Sequence, residues 1–385
     1  MAIVWATTAL LSVLGGWYAQ PYLAQKSEFF TKEEAEKPEP ILSTDSFSIR
    51  LFQNALAEKQ QGNILVAPHI VSDALCLLQD FAGGKTLEEL QALQLLKTAT
   101  IRATEPQCAI LPAMDFNLPR TDVNQAALPL PFSEDVPMAL SLFNGALGNA
   151  LGKTDIRLAD SKTVTERTKL LVGCVTDMNK AWEQPFYSAD TRTADFDNAS
   201  GGMPHFRQLR GRGLYRTAKA EDNSWKAVAI PFRKEADKGT PLVYIGILPA
   251  GSARDFAEKL SAEQLTAIRK ALAEATPEDT LVEIPRQELQ ILPYDMRDSL
   301  RRLGLKALFD SENADFSRLT PEKIHLGAFL HAASISLVET PGNAKAREDI
   351  NYAKDIISFA RPYIWLITDL ETDVSIEYIG LVEEM

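Results

Sequence analysis

The chain has 385 residues, 45% hydrophobic and 24% charged, with a formal net charge of −12. Such values describe a globular chain long enough to bury a large core as one or two domains. The acidic balance excludes a general nucleic-acid role, which rests on cationic surface, and favours solubility.

The first 25 residues carry no charged side chain. Residues 1–25 are expected to be a hydrophobic leader, either signal peptide or membrane anchor, so the protein is expected to be extracytoplasmic. The segment lacks a basic start, and cleavage after Gln20 would face Pro21. A membrane contact is expected only through this segment. Residues 26–42 form a charged, proline-bearing linker.

From 43 onward the pattern is that of a folded domain reaching 385. Phe47, Leu51, Phe52, Ala55 and Leu56 share one helical face, and Gly62 stops that helix. "ILVAPHIVSDALCLLQDFAGG" reads as a short strand followed by a buried helix. Thr86 and Glu89 have capping-box spacing at the start of the next helix. Residues 97–139 hold Pro106, Pro112, Pro119, Pro129, Pro131 and Pro137, which argues against long regular elements there. "TKLLVGCV" is a continuous apolar run, suited to a strand covered on both faces. "WKAVAIPFRK" and "PLVYIGILPAG" read as paired strands. Two helical stretches follow, the second with Ser261 and Gln264 at cap spacing. "DTLVEIPRQELQI" is a strand, and "YDMRDSLRRLGL" is a helix stopped near Gly304. "KIHLGAFLHAASISLVE", "RPYIWLITD" and "SIEYIGLVEE" are further strands. Strands and helices in irregular order point to a mixed, multi-sheet α+β architecture.

Several motifs fail as chemistry. "LGKT" at 151–154 lacks the glycine a phosphate loop needs, since Leu147 stands there. "HFRQLRGRGLYRTAK" at 205–219 is read as a solvated hairpin turning at Gly211 to Gly213 in preference to a polyanion site. His69, His205, His325 and His331 have no zinc-ligand spacing, and no nucleophile–base motif is present. No catalytic residue, metal or cofactor is therefore assigned, and the chain is not expected to be an enzyme. Cys76, Cys108 and Cys174 make no C-x-x-C; buried free thiols are the preferred reading, and a disulfide between two of them stays open. Asn198 begins an N-A-S glycosylation sequon.

Taken in order, "NILVAP" with Ser72, "KLLVGCVTDMNKAWEQPFYSADTRTADF", the run from "VEIPRQELQI" to "HAASISLVE", "RPYIWLITD" and "YIGLVEE" resemble the serpin family. The resemblance covers roughly residues 43–385 and is weak across 97–139. It implies a single serpin-like domain of three β-sheets with about eight or nine helices and an exposed reactive loop between Glu339 and Arg361. It also implies a protease inhibitor, with a serine- or cysteine-type protease as the partner of an inhibitory member, and a monomer. In that mechanism the loop is cut and inserts as a new strand in the central sheet. By the same resemblance Glu339, Thr340, Pro341, Gly342, Ala344 and Ala346 form the loop hinge. The scissile bond falls at Asp355–Ile356, with Lys354 as the alternative. Asn63, Ser72 and His331 belong to the sheet-gating shutter, and Trp182 to the breach. The asparagine expected on the strand before Trp182 appears as Gly173 or Cys174.

In strand phase the loop turns Gly342, Ala344, Ala346, Glu348, Ile350 and Tyr352 inward, leaving most of its charge on the other face. Pro341 stiffens the hinge, and Glu348 would be buried without a partner. The rival is a helix capped by Thr340 with Pro341 at its first position and an apolar stripe of Ala346, Ile350, Ala353 and Ile357. That geometry implies a non-inhibitory serpin-fold binding or structural protein with a non-inserting loop.

Overall fold

A computed structural model of the chain describes residues 44–95, 108–114, 129–150, 157–234, 241–290, 294–342, 345–370 and 376–385. The leader, the linker and "LGKT" lie outside the described residues. Among the described residues no helix is long and apolar enough to cross a membrane.

The first helix, α1 (Thr44–Glu58), buries Phe47, Leu51, Phe52, Ala55 and Leu56, and Gly62 takes a φ of +83° beyond it. The short strand β1 (Ile64–Val66) leads into α2 (Pro68–Phe81), whose proline sits in its first turn, where no amide donor is needed. The next helix, α3 (Gly84–Ala92), begins earlier than the Thr86–Glu89 spacing suggests, and the expected capping box does not form. Tertiary partners take both side chains instead. Thr86 Oγ1 accepts from the Asp315 amide at 2.9 Å, and Glu89 accepts from the Ala307 amide at 2.7 Å.

One sheet is built on β3 (Leu170–Met178), the continuous apolar run. It pairs antiparallel with β2 (Cys108–Pro112) and parallel with β11 (Ala328–Leu337). On the far side of β11 lie β9 (Gln287–Gln290) and β10 (Tyr294–Asp295). Helix α4 (Val136–Ala150) packs on β3 at Gly173, where a Cβ would lie 2.6 Å from Leu147 and 2.7 Å from Phe143, so only glycine fits.

Of the other nine strands, eight form one hydrogen-bonded path, with β4 as a side branch, in two parts joined by a long strand, β5 (His205–Lys219). The end of β5 pairs with β6 (Trp225–Pro231), and the order runs on through β7 (Val243–Pro249), β13 (Tyr363–Thr368) and β14 (Tyr378–Val382) to β1. The start of β5 pairs with β4 (Arg192–Asp195) and β8 (Glu278–Pro285), and β8 pairs in parallel with β12 (Asp355–Ser358). Three sheets result. Strands β7, β13 and β14 are buried at every residue, as their unbroken apolar runs require.

The anticipated hairpin at 205–219 is therefore wrong: β5 runs straight through Gly211 and Gly213. These glycines are needed because neighbours approach the strand, not because it turns. A Cβ on Gly211 would meet Phe186 at 2.9 Å, and one on Gly213 would overlap Gln184. The expected β6–β7 pair forms. Ser261 caps α6 (Ala262–Glu274) by accepting from the Gln264 amide, after a short α5 (Ala253–Lys259) capped by Ser252. Helix α7 (Arg297–Arg302) ends before Gly304, at φ +101°. With seven α-helices and two 3-10 turns among the described residues, the helix count meets the expectation.

Candidate functional site

The chain leaves the end of β11 at Leu337 and returns to a sheet at Asp355, in β12. The first part of this connection is held tightly. Trp182 is buried, stacks on Phe232 with ring centroids 4.6 Å apart, and packs edge-on against Phe186 at 5.2 Å. Its indole Nε1–H donates to the Val338 carbonyl at 3.0 Å, and the Thr340 amide donates to the Phe186 carbonyl at 2.7 Å. The Glu339 carboxylate accepts from Arg286 Nε at 3.0 Å and Thr191 Oγ1 at 3.1 Å. Burial pushes the Glu339 carboxyl up, but its own amide, Arg286 and Thr191 together outweigh that and hold it below the usual range. Beyond it Pro341 and Gly342 are exposed, and Gly342 has a φ of +151°, which a side chain would resist. Of the six hinge residues, Ala344 lies outside the described residues.

Residues 345–349 are exposed and form no helix, so the predicted helix is absent over this stretch; a single 3-10 turn, Ile350–Tyr352, is the helical geometry present. The reason is that tertiary bonds claim the backbone and side chains. The Arg347 amide donates to Asp190 Oδ1 at 2.8 Å, and its guanidinium donates to the Arg212 carbonyl at 2.8 Å. Arg212 donates to the Asp349 carbonyl at 2.6 Å and its carboxylate at 3.1 Å, while gripping Asp279 through two bonds of 2.7 Å. Arg210 donates to Asn351 Oδ1 at 2.6 Å and to the buried Glu283 at 2.9 Å, and Arg192 reaches the same Glu283. Gln208 donates to Ser358 Oγ at 3.1 Å. Ile350 is buried, so the polar contacts have an apolar centre.

Gln208, Arg210 and Arg212 alternate along β5 and so share one face, and that face carries the loop. The intervening Leu209 and Gly211, and Tyr215 further along, are buried on the other. Of the arginines singled out in the sequence, Arg210 and Arg212 are thus spent on carboxylates of the same molecule, and Arg216 on the Ala273 and Ala275 carbonyls. Arg347 and then Arg212 hold the Asp349 carboxyl below its ordinary value, and Arg212 does the same for Asp279.

Asp355 and Ile356 stand within β12, paired with Thr280 and Leu281, and the Lys354 amide donates to the Asp279 carbonyl at 3.1 Å. Their backbone is paired in a strand, whereas a scissile bond is expected in an unpaired loop, although the Lys354 and Ile356 side chains are exposed. The connection is short, so counting along it from Glu339 runs into the strand. Lys226 also pairs with Asp355 at 2.7 Å.

In the middle of the β3–β11 pair, His331 is buried and its Nε2 accepts from the Ala67 amide at 3.2 Å. The proton then resides on Nδ1, which has no partner. Burial, followed by the charge of His69, lowers its pKa to about 3. Cys174, and not Gly173, is its neighbour on β3. Ser72 is buried in α2. Asn63 is engaged elsewhere: its amide donates to the Glu384 carbonyl at 2.8 Å, and its oxygen accepts from the Glu383 and Glu384 amides, tying down the chain after β14. A second polar bridge, Thr176 Oγ1 to Tyr378 Oη at 2.6 Å, joins β3 to β14.

Of the residues the resemblance named, Trp182 and Glu339 stand at the start of the loop and His331 stands between β3 and β10. Sequence reasoning missed the roles of Arg210, Arg212, Asp190, Asp279 and Glu283. The i, i+2, i+4 spacing of Gln208, Arg210 and Arg212 was the signal available, once 205–219 is read as a strand.

The fold and the loop arrangement define a serpin-class protein. The family model described as Serpin (serine protease inhibitor) matches residues 151–383, and the chain belongs to that family. It is 20% identical over 378 residues to Serpin B5 of Plecturocebus moloch, covering 86% of this chain and 96% of that protein. With Serine protease inhibitor 88Ea of Drosophila melanogaster it is 21% identical over 193 residues, so the chain spans about half of that relative, 45% of its length. Among solved structures it resembles maspin, with a TM-score of 0.75, 18% identity and coverage of 89% of this chain and 97% of that one. Uncleaved ovalbumin gives a TM-score of 0.76 at 15% identity, covering 89% and 99%. At such identities these two likenesses speak to the fold.

Proposed function

We propose that this serpin works as a binding protein whose loop stays latched, and not as an inhibitor that inserts its loop. One observation carries this reading: the loop is latched from Arg347 to Asn351 by its bonds to Asp190, Arg212 and Arg210, and its first exposed stretch, 345–349, is shorter than the seam it would fill. Strands β3 and β11 are paired over eight positions, Leu171 to Met178 against Ala328 to Ile335. At roughly 3.3 Å per residue that is about 26 Å of strand. An inserted loop has to turn back at Pro341–Gly342 and fill the seam from Asn343 onward. A cut within that exposed stretch leaves at most seven residues, 343–349, for eight positions, and only a cut beyond the buried Ile350, where Asn351 and Tyr352 are exposed again, frees enough. Pro341 at the turn and Glu348 on the inward face add to the cost of insertion.

The second reading is protease inhibition by cleavage and insertion, and one observation favours it. A cut at Asp355–Ile356 frees thirteen residues, 343–355, which is ample for the eight positions. That bond becomes available to a serine- or cysteine-type protease only after β12 peels from β8 and the Arg210 and Arg212 contacts release.

The experiment is incubation with trypsin-, chymotrypsin-, elastase- and papain-like proteases, read by denaturing gel, mass-mapped cleavage sites and thermal unfolding of the cut protein. The binding reading expects clean cuts at 345–349, no covalent complex and no gain in stability. A complex that survives denaturation, or a large rise in unfolding temperature after cleavage at 354–356, overturns it in favour of inhibition.

A further inference from the structure

Cys108 and Cys174 face each other directly across the antiparallel pair β2–β3, with their sulfurs 2.9 Å apart. Cys174 is fully buried and Cys108 half-buried. The Cys108 thiol also lies 3.3 Å from the Ile70 carbonyl at the start of α2. On its other side Cys174 is the register partner of His331 on β11. One row therefore runs Cys108, Cys174, His331 across three adjacent strands of the sheet from which the loop departs. The third cysteine, Cys76, is buried on α2.

We propose that Cys108 and Cys174 are a redox-active pair that closes into a disulfide and staples β2 to β3 beside His331. The sulfurs need to approach by roughly 0.9 Å more to reach bonding distance, and residues directly opposed on antiparallel strands lie in the Cα range a disulfide spans. The oxidant is a small-molecule disulfide such as oxidised glutathione. The thiolate of Cys108, the more accessible of the two, attacks one sulfur of that disulfide and releases one reduced thiol. Cys174, as thiolate, then attacks the Cys108 sulfur of the mixed disulfide, forming the protein disulfide and releasing the second reduced thiol. Two protein thiols lose two protons and two electrons, and one small disulfide gains them.

Burial, and then Cys174, push the Cys108 thiol well above its ordinary value. Few thiolates therefore exist in the closed sheet, and exchange is slow unless β2 loosens. Once formed, the cross-link closes the segment between residues 108 and 174, which restricts the unfolded chain and makes β2 and β3 move as one.

The test equilibrates the full chain in glutathione buffers from reducing to oxidising, then unfolds it and counts alkylated thiols by intact mass. Oxidation is expected to reduce the count from three to one and to remove two hydrogens, with non-reducing peptide maps joining Cys108 to Cys174. The urea midpoint of the oxidised form should rise and should return on adding reductant. Cys76→Ala should keep the response and Cys108→Ala should abolish it. Because the peptide map is made on the unsubstituted chain, it decides the matter even where a variant folds poorly. Three alkylated thiols at every potential, a cross-link that includes Cys76, or a cross-link between two chains would overturn the proposal.

Discussion

Acidification from pH 7 to pH 5 should weaken the fold through His331, by an amount that follows from its surroundings. Its Nε2 is occupied by the Ala67 amide, its Nδ1–H has no partner, and it is buried between Cys174 and Tyr294 on the neighbouring strands. Its pKa is about 3 in the fold against an ordinary 6.5. A depressed histidine favours the neutral form in the folded state, so the unfolded chain takes up the proton first as the pH falls. The contribution is present above 6.5 and is lost toward 3 at about 1.4 kcal/mol per pH unit. Between pH 7 and pH 5 the loss is about 2 kcal/mol. Urea unfolding followed by tryptophan fluorescence at both pH values measures it, and His331→Gln provides the comparison. Glu58, whose carboxyl is raised by burial, opposes the trend as the pH drops, but it does so in both proteins, so the difference isolates His331. Equal pH dependence in the variant and the unsubstituted chain would refute the reasoning.

Ile350→Ala removes the apolar centre of the loop contact; at about 2 kcal/mol for such a truncation, cleavage at 345–354 by a broad protease should speed up tenfold or more. Trp182→Phe deletes the indole donor to the Val338 carbonyl and should cost about 1 kcal/mol, with faster amide exchange at Glu339 and Thr340 as the specific readout. The loop's resistance to an acid protease should hold from pH 5 to about pH 4 and fall below that, because Asp349 and Asp279 are depressed carboxyls whose pairing is lost only as the pH drops through their lowered values. Asp349→Asn should remove part of that acid dependence, and a loop that loosens equally in both proteins would show that Arg212 does not hold it through Asp349.

What could be read from the sequence is what short-range pattern encodes. The unbroken apolar runs at 170–175, 243–249 and 363–368 specify buried strands, because only a strand covered on both faces hides every side chain. The helical face of Phe47, Leu51, Phe52, Ala55 and Leu56 and the Ser261 cap are equally local. The order of such segments was enough to bring out the serpin resemblance, which named Trp182, Glu339 and His331. The loop was different. Between 338 and 354 strand and helix periods fit equally, since its charges and alanines satisfy both. Its course was decided by residues more than a hundred positions away: Asp190 takes the Arg347 amide, Arg212 takes Asp349, and Arg210 takes Asn351. Gly211 and Gly213 looked like a turn because glycine's freedom is visible in sequence, whereas the approach of Phe186 and Gln184 that demands it is not. Local pattern determined the strands and helices of this serpin. Long-range charge pairing and close packing decided where the loop lies, and with it what the loop is free to do.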